Sequence, residues 1–152
     1  MIRDKTGRGG STQEGSSAAR ALYGKDVLAF HAEEQLSFDD DRLVELVVEH
    51  GETGAQAVID DTLREIATLT AELVHCLRHD TARDAMVAAT LCRKIEVAAH
   101  VAGLPLYKRV VADLKSCQER GDDNAAAAVL HRLVRLAATA MRQSWDICDH
   151  WA

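Results

Sequence analysis

Few residues in this chain of 152 have the types and spacing that chemistry requires. His75 and His79 stand four apart with Cys76 between them. On a helix that spacing puts both imidazoles on one face, where they can hold a divalent metal once a third ligand approaches. The cysteines at 76, 92, 117 and 148 form no Cys-x-x-Cys, and two histidines near a helix C-terminus also suit its dipole. The expectation is no metal and no cofactor. Cys148-Asp149-His150 contains a nucleophile, an acid and a base, but adjacency in sequence is not the geometry that nucleophilic catalysis needs, so no enzyme is expected. His100 follows Arg93 by seven residues, two helical turns, which puts an imidazole and a guanidinium on the same face. The plainer reading of His100 is a solvated histidine near a helix end.

The elements that must position these groups read as helices. Aromatic residues make up 4% of the chain and there is one proline, whereas a β-protein of this size carries more aromatics and turn-formers. Five of nine glycines fall in residues 1–24, predicting a flexible, disordered N-terminal tail that cannot recover its ordering entropy by burial. Residues 25–37 form a short amphipathic segment, and 38–152 the folded body. Phe38-Asp39-Asp40-Asp41 supplies capping carboxylates for a short helix over about 41–49, with Leu43, Leu46 and Val47 inward. Gly51 and Gly54 mark helix ends, and a long helix follows to about His79 with Ile59, Leu63, Ile66, Thr70, Leu73 and Leu77 on one stripe. The next helix runs to about Ala102 with Ala88, Leu91, Ile95, Ala98, Ala99 and Ala102 inward. Pro105 opens another, which faces the core with Leu106, Val110, Leu114 and Cys117 and ends at Gly121. Asp122 or Asp123 caps a last helix through about Trp145. Short connections predict an all-α, antiparallel up-and-down four-helix bundle, with the helix from Asp41 capping one end.

In order and spacing, the run from Asp41 to about Arg142 resembles a histidine-containing phosphotransfer domain of two-component signalling. The resemblance rests on Gly51-Glu52-Thr53-Gly54-Ala55 before the long helix, on the helix ending at Gly103, on Leu114-Lys115, and on Gly121-Asp122 before an alanine-rich closing helix. That family carries H-x-x-K-G with a second glycine six residues after the first. Aligning the second glycine on Gly103 puts Arg93 at the phosphoacceptor position, Glu96 at the lysine and Val97 at the first glycine. A guanidinium stays protonated and offers no nucleophilic nitrogen, so it cannot accept a phosphoryl group. The resemblance implies the fold and a binding role without the transfer.

At about 100° per residue, Glu96, Val97 and His100 each lie within about 60° of Arg93, opposite the stripe of Leu91, Ile95 and Ala102. The resemblance implies that this face meets a receiver domain or a histidine kinase, with Ala89, Thr90 and Lys94 at its edge. The expected function is a non-catalytic adaptor or inhibitor, with Arg93 pairing with the receiver's acidic pocket. Two alternatives stand beside it: an active relay using His100, and a helical homodimer joined through Leu36, Phe38 and the Trp145–Trp151 ends. The formal charge of −6 and pI near 5.6 argue against a nucleic-acid partner. His131, Arg132, Arg135 and Arg142 make a basic stripe that reads as a solvated face. The apolar runs fall short of the ~20 residues of a membrane span, and residues 1–24 have no secretory core. The expected location is the cytoplasm, with the cysteines as thiols.

Overall fold

Two carboxylates and a capping aspartate start the first helix. In the computed structural model, which describes residues 34–79 and 82–151 (82 and 145–151 by backbone only), helix α1 spans Asp40–Leu77. Asp39 Oδ1 accepts the free N–H groups of Asp41 at 3.1 Å and Arg42 at 3.4 Å, while Asp40 and Asp41 place negative charge at the positive end of the helix dipole. The helical run is broken only at Gly51, whose φ of 72° and ψ of 169° redirect the chain. This corrects the expected pair of glycine stops. One residue with positive φ makes the break, and Gly54 lies inside the helix, where an added Cβ would come within 2.8 Å of His50 Cβ. Beyond the kink, Ile59, Leu63, Ile66, Thr70 and Leu73 are buried as the spacing predicts. The tail and most of the amphipathic segment expected over residues 1–33 lie outside the described residues.

Helix α2 spans Ala82–Val101, α3 Pro105–Glu119 and α4 Asp123–Trp151. The α2–α3 and α3–α4 turns use the same device. Gly103 (φ 69°) and Gly121 (φ 66°) adopt the left-handed conformation just past a helix end. The following N–H groups reach back in each case: Leu104 N to Ala99 O at 2.8 Å, and Asp122 N to Cys117 O at 3.0 Å. This is the Schellman arrangement, which satisfies carbonyls the helix leaves open. Pro105 then occupies the first turn of α3, where no N–H is needed, and Asp122 Oδ1 caps α4 through Ala125 N at 2.9 Å. Helix α4 continues six residues past the expected Trp145, because no glycine or proline follows Gly121 to stop it.

Among the described residues the structure is all helical, with four helices in a ring of neighbours: α1 with α2 and α4, and α3 with α2 and α4. The compact unit they form runs Gln35–Ala152. Every predicted inward residue of α2 is buried. On α3, Leu106 is only half-buried, and Tyr107 and Val111 join Val110 and Leu114 in the core instead. The Tyr107 hydroxyl lies 2.6 Å from Thr70 Oγ1, and Thr70 Oγ1 donates to Ile66 O at 2.7 Å. Because the threonine proton is committed to Ile66, the tyrosine is the donor between them. Asp60 Oδ1 ties α1 to α4 by accepting from Ser144 Oγ, and it also accepts from Gln56 Nε2 at 3.0 Å.

Gly103 also receives the start of α1. Asp39 N donates to Gly103 O at 2.8 Å, and an added Cβ would meet Arg42 Cβ at 3.3 Å. At Gly121 nothing lies within 4 Å of that position. Gly121→Ala is expected to cost about 1–2 kcal/mol, the backbone penalty alone. Gly103→Ala is expected to cost about 1 kcal/mol more, because Arg42 must shift. Urea unfolding of the two variants measures the difference, and equal losses would remove the steric part of the argument.

Candidate protein-binding face of helix α2

The inward stripe of small residues on α2 fixes what its opposite side presents. With Ala88, Leu91, Ile95, Ala98, Ala99 and Ala102 buried, the positions half a turn away must face solvent. Arg93, Val97 and His100 are exposed, as are Ala89, Thr90 and Lys94. Val97 is 64% exposed, a large apolar side chain held in water beside a guanidinium. Glu96 differs from the others. It is half-buried, and both its carboxylate oxygens lie near Lys115 Nζ of α3, at 3.2 and 3.4 Å. Its charge is therefore spent within the protein, and the face presents Arg93, Lys94 and His100 around Val97. Behind them, burial pushes the Cys92 thiol up to about 11, the Lys115 ammonium pulling it back and the Glu96 carboxylate adding to the rise.

Two residues that the sequence reading did not single out extend this face. Met86 is 76% exposed and Val87 41%. Met86, Thr90, Arg93 and Val97 follow one another at intervals of four, three and four, the same period that locates the core stripe, so the signal was available. The part played by Lys115 was not available, since it depends on how α3 packs on α2. Beside His100, a cleft of about 280 Å³ is lined by Asp41, Arg42, Glu45 and Lys108 among others. Within it Arg42 pairs with Glu45 at 2.8 Å.

The other candidates are placed as follows. The His75 and His79 rings stand edge to face, 4.8 Å apart. Among the described residues no group of three His, Cys, Asp or Glu side chains is placed to hold a metal. Cys76, Cys92 and Cys117 are free thiols. The side chains of Trp145, Cys148, Asp149, His150 and Trp151 lie outside the described residues. Leu36 is 5% exposed and Phe38 packs against the same core, so both contribute to the fold of the single chain. Among the described residues no helix is long and apolar enough to cross a membrane. No family model matches the chain, and neither a curated protein nor a solved structure matches it.

Proposed function

We propose that the protein is an adaptor or inhibitor of two-component signalling that binds a receiver domain or a histidine kinase, in the cytoplasm, without transferring a phosphoryl group. The reading takes the four helices as an antiparallel up-and-down bundle of the histidine phosphotransfer kind. The observation that supports it is the exposure of Arg93 and Val97 on the outer face of α2, the two residues that the resemblance aligns with the family's phosphoacceptor histidine and a glycine. A fixed cation beside an apolar contact suits a receiver's cluster of carboxylates. It forms charge-assisted hydrogen bonds there and offers no nucleophile. With Glu96 held by Lys115, no free carboxylate on the face opposes that approach.

The test is to mix the full chain with phosphorylated and unphosphorylated receiver domains and to record both complex formation and acid-labile label. A complex without label is expected, weakened by at least about tenfold in Arg93→Glu, since truncating or reversing one partner of an interfacial charge pair costs about 2–5 kcal/mol. The variant should keep its helical circular dichroism, because Arg93 is exposed. Label that disappears in His100→Ala would replace the adaptor with an active relay at that histidine. Unchanged affinity in Arg93→Glu would rule the face out.

A further inference from the structure

The outer seam between α1 and α4 is an open apolar trough of about 1030 Å³. On α1 its floor is made by Ala67, Ala71 and Val74, and on α4 by Val134, Ala138 and Met141. These positions repeat at three and four, so each helix contributes one continuous row, and Val134 remains 43% exposed. Alanines let a third backbone approach closely where larger side chains would fill the space. The α4 wall from Ala127 to Met141 is about 21 Å long at about 1.5 Å per residue, the length of a helix of about 14 residues.

Charge on the edges identifies the occupant. Helical periodicity sets exposed Arg64 and Arg78 along the α1 side, with His75 between them, and exposed Arg135 and Arg142 along the α4 side, with His131 one turn before Arg135. The acids nearby are Asp60, which accepts from Ser144 and Gln56 at the other end of the seam, Asp61, already paired with Arg64 at 2.7 Å, and Asp84 and Asp123 at one end. In a chain of formal charge −6, both borders of this apolar depression are thus basic. We propose that this trough binds an amphipathic helix of another protein that presents small and aliphatic residues on one face with glutamates or aspartates along both edges of that face. The concave shape fits a helix laid lengthwise, and the borders select its charge. The trough shares no residue with the α2 face, so the inference stands apart from the proposed function and gives an adaptor a second, separate contact.

The test uses the full chain and a stapled 16-residue peptide with leucines at helical intervals and glutamates beside them, compared by fluorescence anisotropy with the same peptide carrying lysines. The acidic peptide should bind at least about tenfold tighter. Ala71→Arg or Ala138→Arg should remove that binding, each at an exposed helical site where the fold tolerates it. Arg135→Glu with Arg142→Glu should reverse the preference, while Arg93→Glu should leave it unchanged. A photo-crosslinking residue at position 138 should attach to the acidic peptide. Equal or absent binding of the two peptides would overturn the proposal. So would insensitivity to Ala138→Arg, attachment to another copy or within the same chain, or cosedimentation with phosphatidylserine vesicles in place of peptide binding.

Discussion

Between about pH 9 and pH 12 the protein is expected to lose roughly 5 kcal/mol of stability through two buried groups. Burial pushes the Tyr107 hydroxyl from 10.0 up to about 12 and the Cys92 thiol from 9.0 up to about 11. Both groups are neutral when folded. The unfolded chain therefore releases their protons first, and deprotonation draws molecules out of the native state. The stabilisation is complete below the ordinary values of 9.0 and 10.0, and it is lost as the pH rises through the folded ones. Each shift of about two units corresponds to about 3 kcal/mol, against a total of about 5–15 kcal/mol for a typical domain. Urea midpoints measured across this range should fall steeply. Cys92→Ala should remove the earlier part of the fall and Tyr107→Phe the later part. A stability that stays flat to pH 12 would refute the assignment.

Thr70→Val should cost more than Tyr107→Phe, although the two changes touch the same hydrogen bond. Removing the threonine hydroxyl leaves the fully buried Tyr107 donor with no acceptor, a loss of about 1–3 kcal/mol. Removing the tyrosine hydroxyl leaves Thr70 still bonded to Ile66 O, so only the net worth of one bond, about 0.5–1.5 kcal/mol, is lost. Adding Tyr107→Phe to Thr70→Val should restore part of the stability, because the stranded donor is then gone. Truncation to Tyr107→Ala should cost about 3–5 kcal/mol by opening a cavity between α1 and α3. Chemical denaturation of the four variants checks the order, and a Tyr107→Phe loss exceeding that of Thr70→Val would reverse the donor assignment.

What the sequence made legible follows from periodicity and from glycine. The α2 core stripe and its exposed reverse needed only the helical repeat. The α2–α3 and α3–α4 turns needed only the recognition that Gly103 and Gly121 interrupt apolar runs. Gly54 misled because its type signals a stop, whereas the positive φ at Gly51 already makes the turn and leaves Gly54 helical. Leu106 shares a helical stripe with Val110 and Leu114, yet it is only half-buried and Tyr107 lies in the core. The tyrosine can be fully buried because its hydroxyl meets Thr70 on another helix, 37 residues away, and a contact of that range leaves no local trace. The same holds for Lys115, which turns Glu96 from a presented charge into an internal one.

The ring of helices also ranks its contacts by the length of chain each must close. Three of its four contacts join helices that follow one another across turns of a few residues. The fourth, between α1 and α4, joins residues such as Asp60 and Ser144, 84 positions apart. The entropy lost on closing a loop grows with its length, so the three sequential pairings are the less costly to form on their own and the α1–α4 pairing is the costliest. The α1–α4 seam is then the contact that spans the most chain, and a helix lying along its trough would act as a clasp on the pairing that closes the ring.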